Sequence, residues 1–181
     1  MPRIAPLEPP YAPEVHEQFE RIMGPGADPL VLFRVVAKDK RAWSKFRAAS
    51  LLDGGPLSLR EREIVIDRTC ALTGCEYEWG VHVAFFAEKA GLTDEQVKAT
   101  TAGGTGCFSA AEQALIGAVD ALHFRMRWSD EEYRSLAAHY TEAQIFEILL
   151  LCGRYRTVSY IVNALDLPLD PRGARFPNGR P

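Results

Sequence analysis

Apolar residues recur along this chain at intervals of three and four rather than in alternation. That spacing gathers them on one stripe of an α-helix. No run alternates with period two, and the β-branched residues fall inside helical stretches. Start signals repeat as well. A capping box pairs a Ser or Thr, whose oxygen accepts from a first-turn amide, with a Glu or Gln three residues later that reaches back to the cap's own amide. The pattern occurs at Ser58–Glu61, Thr93–Gln96, Ser109–Glu112, Ser129–Glu132 and Thr141–Gln144. One match is weak, but five, each opening a periodic stretch, predict five helix starts. Periodicity and caps together predict helices over 13–23, 29–37, 40–52, 58–72, 76–90, 94–101, 110–125, 130–139 and 142–165. Pro13 suits a first turn. Gly24-Pro25-Gly26 ends that helix, and Asp53-Gly54-Gly55-Pro56 reads as a loop.

The expected fold class is therefore all-α: one antiparallel helical bundle with a core of about 12–165 and extended tails over 1–11 and 166–181. The Pro-, Gly- and Arg-rich stretch from Leu167 to Pro181 cannot build a core of its own, and is expected to lie along a neighbouring subunit or to be loose. Composition agrees with a single domain. The 181 residues are 47% hydrophobic and 25% charged, which suits a packed core and argues against disorder. A net charge of −3 without a basic stretch makes neither nucleic acid nor an anionic membrane an expected partner. The opening Met1-Pro2-Arg3-Ile4-Ala5-Pro6 has no apolar run of a secretory signal, and no apolar run is long enough to span a bilayer. Four irregularly spaced cysteines, Cys70, Cys75, Cys107 and Cys152, point to reduced thiols in a cytoplasmic protein.

The candidate chemistry lies between Glu63 and His82, in the string EIVIDRTCALTGCEYEWGVH. On the second of its two helices, Cys75, Glu78, Trp79 and His82 can share a stripe that Phe86 extends. Cys75 falls at the start of that helix, where the positive end of the dipole favours a thiolate. Glu78 and His82 are four residues apart, a spacing that lets a carboxylate orient an imidazole and hold a proton on it. On the preceding helix Glu63, Asp67 and Cys70 share a face, and the run Ile64-Val65-Ile66 predicts burial. A buried carboxylate needs a partner, and His82 is the candidate. The alternative is a structural ion pair, or a core histidine that is merely satisfied. A metal site of Glu63, Glu78 and His82 is conceivable as two carboxylates and one imidazole, though nothing else in the sequence supports one. The glycine-rich Gly103 to Cys107 lacks the Lys and Ser/Thr of a phosphate-binding loop and reads as a turn. Cys152 reads as a core residue, His16 as exposed, and His123 and His139 show no partner pattern.

These residues resemble the carboxymuconolactone decarboxylase family, which includes the alkyl hydroperoxidase D proteins. Its peroxidase branch carries Glu, eleven residues, Cys, two residues, Cys, three residues, His. Glu63, Cys75 and His82 match residue for residue, but Glu78 stands at the second Cys position. The string Cys75-Glu76-Tyr77-Glu78-Trp79 with His82 resembles a non-peroxidase branch. The likeness extends to Arg3-Ile4-Ala5-Pro6, to Leu57–Gly91, and to the last helix through Thr157–Tyr160 and Asn163–Leu165. It implies an alkyl hydroperoxidase D-like helical fold, a homo-oligomer (a trimer or a dimer of trimers), and catalysis without a cofactor. The disulfide cycle of the peroxidases needs the missing cysteine. Cys70 is the nearest substitute, and on a continuous helix it would point about 140° away from Cys75. Only a break near Thr73-Gly74 would bring the two together.

Three readings follow. The first is a cofactor-free decarboxylase, lyase or isomerase acting on a small anionic carboxylated lactone or keto-acid-like compound. In it Glu63, Cys75, Glu78 and His82 form the catalytic group, with His82 as acid/base. Trp79 and Phe86 wall the pocket, Tyr77 stands at its rim, and Arg154 or Arg156 anchors the substrate. The second is a thiol-dependent peroxidase or disulfide reductase using Cys75. The third is a non-catalytic helical oligomeric module.

Overall fold

The structure, a computed structural model, describes residues 2–177. Its helices are α1 (Pro13–Met23), α2 (Val31–Val36), α3 (Lys40–Ala48), α4 (Leu59–Leu72), α5 (Glu76–Phe86), α6 (Asp94–Ala102), α7 (Ala110–Arg125), α8 (Asp130–Ala137) and α9 (Glu142–Ala164). No strand occurs among the described residues. All five predicted capping boxes form, with both reciprocal hydrogen bonds present. Several helices are shorter than periodicity predicts, α3 and α5 the most: α3 stops at Ala48 and α5 at Phe86, each continuing into turns or irregular chain.

Helix α4 is the axis of the molecule. Every residue from Glu63 to Cys70 is buried, and α5, α6, α7 and α9 pack around it. Burial on all sides explains why polar Glu63, Asp67, Arg68 and Thr69 are enclosed along with Ile64, Val65 and Ile66. Arg68 is neutralised by a two-pronged bond to Asp120 of α7, at 2.6 and 2.9 Å, the geometry that suits a buried guanidinium. Helices α1–α3 form an aromatic layer. Phe19 meets the edge of Trp43 at 5.5 Å, Trp43 stacks on Phe46 at 6.0 Å, and Trp43 Nε1–H donates to Gln18 at 2.6 Å. No helix among the described residues is long and apolar enough to cross a membrane.

The expectation of a loose or intermolecular C-terminal tail is corrected over its described part. Residues 167–177 lie along their own chain's α5. The Ala174 amide donates to the Gly80 carbonyl at 2.9 Å, and the Phe176 amide donates to Glu76 at 3.0 Å. The Phe176 ring packs on Trp79 at 5.1 Å. Glycine makes this possible, since a Cβ at residue 80 would stand 2.2 Å from the Ala174 carbonyl oxygen. Leu167, Asp170 and Phe176 are buried in consequence. The part of the expectation concerning 178–181 lies outside the described residues.

Candidate active site

The turn between α4 and α5 sets the register of the site. Helix α4 ends in a Schellman motif. The Cys75 amide donates to the Cys70 carbonyl at 2.8 Å and the Gly74 amide to the Ala71 carbonyl at 3.0 Å, with Gly74 at φ +63°. Cys75 is then the N-cap of α5. This is the break at Thr73-Gly74 that sequence reasoning required, so Cys70 and Cys75 meet at one turn. Both are fully buried, and no disulfide links them.

The chain reversal carries His82 back over α4 to Glu63. His82 Nδ1–H donates to Glu63 Oε2 at 2.7 Å, and Nε2 lies 3.6 Å from Glu78 Oε1 on its own helix. All three side chains are buried. Burial opposes the imidazolium. The two carboxylates outweigh it through hydrogen bonds and charge, and the His82 pKa is pushed up to about 10. His82 is therefore an imidazolium at neutral pH. Its ring is held by the edge of Tyr155 at 5.0 Å and by Phe86 at 5.3 Å. Burial, with the nearby Glu78 and Glu63 charges, pushes the Tyr155 hydroxyl up, so it stays neutral.

Beside this group lies a cavity of about 340 Å³ between the α1–α3 layer and α5 with α9. Glu78, His82, Phe86 and Tyr155 line one side, and Phe33, Trp43 and Phe46 the other. Besides Arg21, which pairs with Glu17, two arginines line it. Arg154 lies 3.8 Å above the centre of the Phe46 ring, and Arg47 lies 5.7 Å from that of Trp43. Among the described residues neither forms an ion pair, and Arg47 Nε is buried without a hydrogen bond. Such a cavity suits a flat or apolar molecule bearing an anionic group. A metal would need a cluster of ligating side chains, and the described residues form no group suited to one.

Three sequence expectations about the cavity are corrected. Trp79 is no wall of it. Its side chain points to α6, where Nε1–H donates to Thr100 Oγ1 at 2.9 Å. Tyr77 is not at the rim but buried, its hydroxyl accepting from the Leu32 amide at 3.2 Å and capping α2, whose own N-cap residue is Leu30. Arg156 faces a different hollow beside His123 and Met126, and its Nε–H donates to the Tyr160 hydroxyl at 3.0 Å. Cys152, expected in the core, is half-buried at that hollow. Cys75 sits beneath the site but does not line the cavity. Sequence reasoning missed Arg47, Phe46 and Tyr155. Tyr155 lies beside the Arg154 it did weigh, whereas Arg47 and Phe46 carry no local signal.

The profile of the carboxymuconolactone decarboxylase family matches residues 40–121, the segment from α3 through most of α7. No curated protein matches the chain. Several solved structures share its fold. An uncharacterized peroxidase-related protein from Silicibacter sp. TM1040 superposes with a TM-score of 0.81 at 15% identity, covering 92% of this chain and 90% of that one. An uncharacterized peroxidase-related protein with an alkylhydroperoxidase AhpD core, from Ralstonia eutropha JMP134, gives 0.77 at 13% identity, covering 93% of each. The debrominase Bmp8 gives 0.74 at 18% identity, covering 93% of this chain and 92% of that one. At these identities the structural likeness speaks to fold. The Glu63–Cys75–His82 spacing falls inside the matched segment, so this part of the chain is similar to the carboxymuconolactone decarboxylase family, and the chain as a whole has an alkyl hydroperoxidase D-like fold.

Proposed function

We propose that the chain is a cytoplasmic lyase or isomerase that decarboxylates or rearranges a small carboxylated lactone or keto-acid-like compound by general acid–base chemistry of its own side chains. The observation that carries this reading is the His82 ring clamped between buried Glu63 and Glu78 on the wall of an aromatic cavity. The substrate carboxylate would lie against Arg154 and Arg47, its apolar body between Phe46 and Phe86. Cleavage of the C–C bond releases carbon dioxide and leaves the electron pair as an enolate, which the low-dielectric site and the guanidiniums stabilise. His82 Nε2–H then protonates the carbon. Glu78, with Oε2 free of hydrogen bonds, accepts the next proton from solvent and returns it to the ring. The family name supports a small flat ligand for such a cavity, as does the debrominase fold relative, a variant of which holds 2,3,4-tribromopyrrole.

The thiol-peroxidase reading draws on the Gly74 turn, which brings Cys70 to Cys75. Against it, both thiols are fully enclosed, and burial pushes the Cys70 thiol up, away from its reactive form. The assembly-module reading expects no cavity at Glu78 and His82, and one is present.

Carboxylated lactones and β-keto acids, followed by proton NMR in deuterated water, test the proposal. Turnover should place one deuterium on the product carbon. His82→Gln should slow it roughly 100- to 10,000-fold, the range of a lost acid–base group. Arg154→Ala should raise KM about tenfold with kcat less affected, as for a lost charged hydrogen bond. No turnover across the panel would overturn the reading if peroxide also removes two hydrogens from the intact mass and a dithiol restores them.

A further inference from the structure

Asp67 is the buried acid that this mechanism leaves unused. It lies one helical turn beyond Glu63 on the same face of α4, fully enclosed, and neither carboxyl oxygen has a hydrogen-bond partner among the described residues. Glu63 Oε1 likewise accepts no hydrogen bond from them. The groups facing this cluster are Glu63, Cys70 and Arg62 on α4, Glu78 and His82 on α5 with Cys75 at its cap, and Tyr155 and Arg154 on α9. Three carboxyls thus surround one imidazole.

Two of the three have cationic neighbours. Glu63 accepts from His82 and lies 3.7 Å from Arg62 Nε, and Glu78 lies 3.6 Å from His82 Nε2. Asp67 has neither. A third enclosed anion beside Glu63 would be opposed by desolvation and by like charge at once. An acid that keeps its proton escapes both and gains a donor, which is what the orphan oxygen of Glu63 lacks.

We propose that Asp67 is a neutral carboxylic acid in the resting protein and a positioning residue, its O–H donating to Glu63 and so fixing the carboxylate that holds His82. Burial, with the Glu63 charge adding to it, pushes the Asp67 carboxyl well above the ordinary carboxylate range, in the same direction. The inference deepens the acid–base reading, but its test needs no substrate, so the two can fail separately.

Infrared spectra at neutral pH in water and deuterated water provide that test. The wild type should show the C=O stretch of a protonated carboxylic acid, moved by ¹³C-labelled aspartate and not by labelled glutamate. Asp67→Asn should abolish it. In that variant the ¹⁵N signals of His82 should still report a doubly protonated ring, because a neutral amide replaces a neutral acid. Absence of the band in the wild type overturns the proposal, as does a band that follows the glutamate label. A fall of more than tenfold in the proton affinity of His82 in Asp67→Asn also overturns it, since that is the effect of removing an anion. The labelled wild-type spectra decide the matter even if Asp67→Asn does not fold.

Discussion

At the scale of single residues, the site is a problem in enclosed charge. His82 keeps a proton because Glu63 and Glu78 reach it in a buried setting. The folded protein therefore holds that proton more tightly than the unfolded chain, whose histidine titrates near 6.5. Stabilisation from this group is full below pH 6.5 and is lost as pH rises through about 10. Asp67 acts in the same direction, since its folded-state affinity for a proton is also raised. The midpoint of chemical denaturation should consequently fall between pH 6.5 and 10 in the wild type, and fall less steeply in His82→Gln; equal slopes would exclude a raised His82. The residues of this clamp were legible in the sequence. A Glu–His pair at helical spacing, a second Glu on the preceding helix and an apolar setting suffice to bring them together. Arg47 was not legible, because only the folding of α3 across the bundle brings it to the cavity.

At the scale of elements, caps and tight contacts decide where helices begin and what lies on them. The five capping boxes were readable because each is a local exchange of hydrogen bonds over three residues. The ends of α3 and α5 were less so. Residues 49–52 and 87–90 suit a helix by periodicity, yet α3 ends at Ala48 and α5 at Phe86, and helix ends are what periodicity fixes least. The tail on α5 was illegible, because a Pro- and Arg-rich segment gives no sign of the long-range contacts that hold it. Gly80 is the residue that admits it. Gly80→Ala, with a methyl against the Ala174 carbonyl, should cost about 1–3 kcal/mol as an overpacked contact. It should also speed tryptic cleavage after Arg172 and Arg175, measured by mass spectrometry. Unchanged cleavage would mean the tail does not depend on that contact.

At the scale of the whole molecule, the outward face of α9 is apolar. Phe146, Leu150 and Tyr160 are exposed at 66%, 59% and 61%, with Phe124 and Met126 of the α7 end also exposed. Exposed apolar residues in such number suit an association surface, and we propose that it builds the trimer-type homo-oligomer that the family resemblance implies. Sedimentation should give a mass several times that of the 20.1 kDa chain, and Phe146→Glu with Leu150→Glu should reduce it to the monomer. A wild type that sediments as a monomer would remove this expectation.

All three scales meet in one statement, that the fold encloses His82 as a charged acid between two carboxylates. The most direct measurement is the ¹⁵N NMR titration of the imidazole in protein labelled at histidine, with His82→Gln identifying the signal. The account predicts both ring nitrogens of His82 protonated at neutral pH, with loss of the proton only toward pH 10. A single neutral tautomer at neutral pH would contradict it, and would leave His82 as a core histidine rather than the acid of an active site.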